Sequence, residues 1–508
     1  MQDMIRSCID EEYGLFIGGQ WVKAENGATF SETCPSTGEE LCRCAEASVN
    51  DVDKAVRAAW AAFETYKKTS TKERSRMLHK IADAVETNKE RLALAECLDT
   101  GKLLAEAMGD VGFAIDFFRY CGGAILSYEG STTMTNDTTM QMIVREPIGV
   151  AGLIIPWNVP FIIEAWKLGP ALATGCTVVM KPSSQATIGT MEFLKIVQDI
   201  IPAGVLNVVT GAGSRCGQYL MDHPDLSKLS FTGSTEIGKA VGLAAAEKII
   251  PCTLELGGKS VNIVFPDADR NKVRSSLKEY LNNCAQVCSA GSRLFIHESI
   301  YDEIVDMCAE LYGGIKVGLP WEEGSQMGAL TYKKHFEDVL DYVQSGIDQG
   351  ARLACGGYRL TKNGLDKGLF MEPTLLADVT NDMKVAQEEI FGPVLVAIKF
   401  KDEEDVLRMA NDSKYGLSGA VFTRDINRAF RIARGVETGR MWINAYGDIS
   451  TYAAIFGGYK QSGIGREGHW RTFDHYTQMK SIVVNLAEEV NGLKSANMID
   501  FYAMLGYH

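Results

Sequence analysis

The chain has 508 residues, a formal net charge of −14, 46% hydrophobic and 23% charged residues. That length allows two or three domains of about 150 residues, and the composition is that of a globular protein able to bury a core in each. The acidic balance, without a basic stripe, excludes a typical nucleic-acid binder. Thirteen cysteines run from Cys8 to Cys355 with no CxxC pair; Cys42 and Cys44 form a lone C-x-C. No metal site is expected from that spacing, and so many free thiols point to a reducing compartment. The stretch Met1 to Glu12 lacks an apolar signal segment, and the longest uncharged run, Pro147 to Ile163, is broken by Pro156, Asn158 and Pro160. A cytoplasmic protein without a membrane span is expected.

Residues 50–107 read as helical: Ala55, Ala58, Ala59, Ala62 and Phe63 fall at helical spacing, as do Met77, Ile81 and Val85. Asp99-Thr100-Gly101-Lys102 marks a break. Thr139 to Arg145 alternates like a strand and, with 479–486, could form a small projecting sheet. From residue 148 short apolar runs alternate with helical stretches. Strands are expected at 148–155, 176–180, 205–209 and 229–231, and helices at 161–168, 186–199, after Gly213, and at 235–247. Such alternation predicts a doubly wound α/β unit with a parallel sheet, whose ligands bind at the carboxyl ends of the strands. A second α/β series starts near Ser260. It has helices at 268–284, 300–314 and 333–350, and strands at 294–297, 351–355 and 393–399.

Four segments carry chemistry. Cys288, in Gln286-Val287-Cys288-Ser289-Ala290-Gly291-Ser292-Arg293, sits at a turn where a helix end and a nearby cation would lower a thiol's pKa. From the local sequence alone it reads more readily as one of thirteen ordinary thiols. Glu255, in Thr253-Leu254-Glu255-Leu256-Gly257-Gly258-Lys259, is a lone carboxylate among apolar residues, either a general base or half of a buried ion pair. Asn158, in Pro156-Trp157-Asn158-Val159-Pro160, follows a buried strand, where its amide could hold an oxyanion or simply stabilise a turn. Phe231-Thr232-Gly233-Ser234 reads as strand, glycine turn and helix cap, a place for a phosphate, although G-x4-G is not the usual dinucleotide fingerprint.

Together these segments resemble the aldehyde dehydrogenase superfamily, in order and spacing, from about Leu15 to Val484. Lys181-Pro182-Ser183, Glu388-Glu389-Ile390-Phe391-Gly392-Pro393 and Phe456-Gly457-Gly458-Tyr459-Lys460-Gln461-Ser462-Gly463 complete the match. The resemblance implies an α/β fold with a Rossmann-type dinucleotide domain (1–128 and 148–257), an α/β catalytic domain (258–465) and oligomerisation strands with a C-terminal tail (129–147 and 478–508). It implies Cys288 as nucleophile, Asn158 as oxyanion donor, Glu255 as base for thioester hydrolysis, and Lys167 with Glu467 as an outward proton path or a structural salt bridge. It places the cofactor, NADP or NAD, along Ile154, Pro156, Trp157, Lys181, Ser183, Ser184, Gly213, Phe231, Thr232, Gly233, Ser234, Leu256, Gly257, Glu389 and Phe391. The partners implied are a small aldehyde and further copies of the chain in a homodimer or homotetramer.

Departures from the family pattern sharpen these expectations. Many NAD-preferring members carry Glu three residues after the lysine matching Lys181; Ser184 stands there, so NADP acceptance is expected. Ala285 stands where Gly is usual. Trp166 occupies the place of an arginine that holds acidic substrates in some members. Val159, Ile162, Ile163, Trp166, Val287, Ser289, Tyr452 and Phe456 then suggest an apolar funnel for an uncharged aliphatic or aromatic aldehyde, with Glu164 facing outward. A CoA-acylating enzyme is the competing reading, opposed by Glu255. A non-catalytic binding protein on the same scaffold is the other.

Overall fold

Five parallel strands form the middle of the first sheet of the computed structural model, which describes residues 8–447 and 453–487. In space they run Cys252–Glu255, Lys228–Thr232, Val150–Ile154, Thr177–Lys181 and Leu206–Val208. Helices cover both faces, so these strands are short, apolar and almost entirely buried. The chain leaves Val150–Ile154 toward Thr177–Lys181 on one side and later returns to Lys228–Thr232 on the other. That reversal opens a crevice at the strands' carboxyl ends, where Pro156 to Asn158 and Gly233-Ser234 follow.

Three further strands extend this sheet antiparallel at its edges. Leu15–Ile17 joins Leu206–Val208 and continues to Gln20–Val22, while Gly463–Ile464 joins Cys252–Glu255. The second sheet runs Arg352–Cys355, Thr374–Ala377, Val394–Phe400, Arg293–His297, Val261–Val264, Ser418–Phe422 and Arg440–Ile443. Only Arg352–Cys355 pairs antiparallel. The third sheet sets Thr477–Asn485 and Ser131–Asn136 on either side of Thr139–Pro147, all antiparallel. The tail beyond Ala487 lies outside the described residues.

The helix after the first strand runs Pro160–Thr174, longer than the sequence suggests. Proline at its first position loses no helical hydrogen bond, and Gly175 at φ +96° ends it. Glu164 on this helix is buried rather than outward-facing. The helix expected over 268–284 stops at Glu279, because Asn283, Cys284 and Ala285 take φ of +50°, +53° and +55°. Each costs about 1–2 kcal/mol for a residue with a Cβ. Side-chain hydrogen bonds hold them: Glu106 Oε1 accepts from Asn283 N, and Asn283 Nδ2 donates to the carbonyl of Asn158, both at 2.9 Å or less. Ala285 is thus a side-chain-bearing residue where the backbone favours glycine. Among the described residues, no helix is long and apolar enough to cross a membrane, and no three His, Cys, Asp or Glu side chains group for a metal.

Candidate active site

Two cavities meet at Cys288. A cleft of about 450 Å³ is lined by Pro156, Trp157, Asn158, Thr232, Gly233, Ser234, Glu255, Gly257, Glu389 and Phe391. A tunnel of about 300 Å³ is lined by Phe113, Val159, Ile162, Ile163, Trp166, Val287, Ser289, Tyr446 and Phe456. Cys288, Val159 and Ile163 border both.

The left-handed turn at 283–285 delivers Cys288 to this junction. Gln286 locks the turn: its Oε1 accepts from Thr331 N at 3.1 Å and its Nε2 donates to the carbonyl of Asn283 at 3.1 Å. Asn158 Nδ2 spends one N–H on the carbonyl of Gln286 at 2.8 Å, which fixes the amide in the cleft that Cys288 also lines and leaves its second N–H for that cleft. Burial, then the nearby Glu255 and Glu389, push the Cys288 thiol well above its usual range, and the Ser289 N–H only partly counters this. The lowered pKa expected from a helix end and a cation is therefore corrected: the preceding helix stops nine residues earlier, and the neighbouring charges are carboxylates.

Glu255 ends the strand Cys252–Glu255 and pairs in register with Thr232. Its carboxylate is buried and has no regular hydrogen-bond partner among the described residues. Burial first, then Glu467, raises its pKa well above the usual carboxylate range, with Lys167 and a loose thiol contact from Cys288 opposing. A carboxyl held in this way can take a proton near neutral pH. Behind it, Lys167 Nζ meets Glu467 Oε1 at 2.5 Å and donates to Ser230 Oγ at 3.1 Å. Backbone hydrogen bonds in both directions with Phe456 hold Glu467.

The cleft fits a dinucleotide on several counts. Thr232 Oγ1 is buried in its wall with no partner among the described residues. Ser234 caps the helix Thr235–Lys248, accepting from Ile237 N at 3.3 Å, so the helix N-terminus opens on the cleft. Glu389 Oε1 accepts from Gly258 N at 2.9 Å, which leaves Oε2 for a donor; burial lifts this carboxyl to about 7. Phe391, at φ +60°, packs its ring 5.3 Å from Trp157. Lys181 lies in register with Ile154, and its side chain reaches the turn that opens at exposed Gly213. Ser183 and Ser184 follow it, partly exposed. Ile154, Phe231 and Leu256 are buried in the sheet and its packing, behind the cleft wall rather than on it.

The structure brings Val159, Ile162, Ile163, Trp166, Val287, Ser289 and Phe456 together as the tunnel wall. Tyr452 lies outside the described residues. The wall is less uniformly apolar than the sequence reading: Glu106, Asp110, Glu279 and Arg440 also line it. Sequence reading missed these, along with Phe113, Tyr446, Tyr332 and His335. The helical period on Leu104–Ala124 carried a signal for Glu106, Asp110 and Phe113, which fall three or four residues apart on one face. Tyr446 donates to the carbonyl of Ser289 at 2.6 Å, a long-range contact without a local signature.

The aldehyde dehydrogenase family pattern matches residues 21–482. An aldehyde dehydrogenase from Vibrio cholerae is 44% identical over 486 residues, 93% of this chain and 95% of that one. The NAD+ complex of an aldehyde dehydrogenase from Bacillus cereus superposes with a TM-score of 0.92 at 40% identity, covering 96% of this chain and 99% of that one. Betaine aldehyde dehydrogenase from Staphylococcus aureus in complex with NAD+ superposes with a TM-score of 0.94 at 34% identity, covering 97% and 99%. The chain belongs to the aldehyde dehydrogenase family, and its activity is nicotinamide-dinucleotide-dependent oxidation of an aldehyde.

Proposed function

We propose that the chain oxidises an uncharged aldehyde to the free carboxylic acid through a thioester on Cys288. The observation that carries this is the meeting of Cys288, Glu255 and Asn158 in the wall of the cleft, with Cys288 also bordering the tunnel. The aldehyde enters from the tunnel. The thiol of Cys288 gives its proton to Glu255, which sheds it by way of Glu467 and Lys167 before hydrolysis, and the freed sulfur attacks the carbonyl carbon, while the second N–H of Asn158 and the backbone N–H of Cys288 steady the oxyanion. The bound oxidised dinucleotide supplies the hydride acceptor. A thioester then remains on Cys288. Glu255 takes a proton from water, whose oxygen attacks the thioester carbon and releases the acid. Lys167 and Glu467 lead that proton away from Glu255. The presence of Glu255 favours water over CoA as the acyl acceptor.

The cofactor would be held by Glu389 and Phe391 near Cys288, by the helix end at Ser234, and by Lys181 at the adenosine side. The S. aureus and B. cereus relatives are described with NAD+, and NAD serves here. Ser184 supports acceptance of NADP as well, since it sets no carboxylate against a 2′-phosphate. The tunnel suits an uncharged tail because its charges are already engaged. Asp110 pairs with Lys102 at 2.5 Å, Glu106 holds two backbone N–H groups, Glu279 accepts from Ser275 Oγ at 3.3 Å, and Arg440 stacks 4.8 Å over Trp442. The edge strand Thr477–Asn485 leaves its outer backbone unpaired among the described residues and exposes Met479 and Val483 on one face and Ile482 on the other, an apolar edge suited to pairing with a second copy of the chain.

Cys288→Ser tests the reading. It should abolish aldehyde oxidation while dinucleotide binding persists; wild-type turnover in that variant would overturn it.

A further inference from the structure

The strand Lys228–Thr232 carries polar side chains on one face. Lys228, Ser230 and Thr232 alternate onto it, and the parallel register of Ser230 with Thr253 and of Thr232 with Glu255 places those two partners on the same face. A polar file therefore runs inward from the base. Thr253 Oγ1 meets Ser230 Oγ at 3.0 Å, and Ser230 Oγ accepts from Lys167 Nζ at 3.1 Å. Beyond it stands Lys228, fully buried, its amine without a hydrogen-bond partner and 5.1 Å from the ring of Tyr476. Burying an unpaired ammonium is prohibitively costly, so evolution rarely leaves a lysine in such a place without use for its amine.

We propose that Lys228 is the acceptor to which the Lys167–Glu467 pair hands on the proton that Glu255 takes from water. This rests on the hydrolytic role given to Glu255 above. The groups that face Lys228 are Lys167, Glu467, Cys252, Cys176, Tyr476 and His475. Burial first, then the charge of Lys167, lowers the Lys228 amine to about 7, with Cys252, Glu467 and Cys176 opposing. Burial without a partner favours the neutral amine, which can then accept the proton that Glu255 discharges.

As the water oxygen bonds to the thioester carbon, its proton goes to Glu255, and the C–S bond breaks to give the acid and the Cys288 thiolate. Glu255 gives the proton to Glu467. The Lys228 amine, without a partner at rest among the described residues, swings toward Ser230 to take a proton from Lys167 through that hydroxyl, and Lys167 recovers one from Glu467. The net change is one proton moved from water to Lys228. Partly exposed His475 and Cys252 mark the way out to solvent.

The test uses an ester in place of the aldehyde, so that no dinucleotide is needed. Protein is acetylated at Cys288 with 4-nitrophenyl acetate, and loss of the acetyl group is followed by mass spectrometry from pH 6 to 9. Lys228→Met should slow this loss about tenfold at pH 8, the scale of one lost proton acceptor, and flatten its pH profile. Lys228→Arg, always protonated, should not restore it. The first burst of nitrophenolate should be unchanged. Lys228→Gln, measured in the same way, serves if the methionine variant does not fold. Deacetylation in the folded variant at the wild-type rate and with the wild-type pH profile would overturn the relay alone. Absence of acetyl on Cys288 in the wild-type protein would overturn the underlying reading, and the relay with it.

Discussion

The backbone N–H of Gly258 donates to Glu389 Oε1 at 2.9 Å, tying the end of a first-sheet strand to a carboxylate that precedes the second-sheet strand Val394–Phe400. A Cβ on the preceding residue, Gly257, would fall 2.2 Å from Glu389 Oε2, and one on Gly258 would fall 2.5 Å from the carbonyl oxygen of Cys288. The Gly-Gly pair after Glu255 is thus a requirement of close approach.

Gly257→Ala should therefore displace Glu389 and weaken dinucleotide binding about tenfold or more, the loss of one charge-assisted contact. Alkylation of Cys288 by iodoacetamide should remain. Calorimetric titration with NAD+ and NADP+, alongside alkylation rates, checks both halves. Unchanged dinucleotide affinity would separate Glu389 from the cofactor.

Ser184→Glu should weaken NADP+ binding at least about tenfold more than NAD+ binding, because a carboxylate set against a 2′-phosphate adds like-charge repulsion. Michaelis constants for both cofactors, measured with one aldehyde, report the ratio. Equal effects on the two would remove Ser184 from the specificity argument.

Glu164 gives a pH-dependent prediction. It is buried, its one hydrogen bond among the described residues is from Thr190 Oγ1 at 2.9 Å, and burial raises its pKa to about 8. The folded chain therefore holds this proton more tightly than the unfolded one. The stability it contributes is full below the unfolded carboxylate pKa near 4.3 and is lost as pH rises toward about 8. Glu164→Gln keeps an acceptor for Thr190 and does not titrate. Its thermal midpoint should exceed that of the wild type at pH 8, by about 1–3 kcal/mol in stability, and the gap should shrink toward pH 5. Thermal denaturation at both pH values checks the sign.

Much of this site was legible in the sequence, and the limits have physical causes. The strand and helix alternation from residue 148 is written in local apolar runs, and the structure follows it closely. The edge strands Leu15–Ile17 and Gly463–Ile464 were not read, since two or three residues pairing across the chain leave no periodic trace. The segment at 283–285 looked helical because its departure is imposed by Glu106 and Asn158, distant in sequence. Glu164 seemed an outward charge because burial is a property of packing rather than of residue type. The electrostatics of Cys288 were misjudged for the same reason: the sequence names a thiol at a turn, but only the fold sets Glu255 and Glu389 beside it.

The central claim is that hydrolysis at Cys288 depends on Glu255, and a stalled intermediate tests it most directly. Glu255→Gln is mixed with aldehyde and oxidised dinucleotide, quenched within the first turnover, digested and analysed by mass spectrometry. The predicted result is one reduced dinucleotide per site, followed by arrest, with the acyl group on the peptide containing Cys288. Sustained turnover at the wild-type rate, or an acyl group on any other residue, would contradict the account.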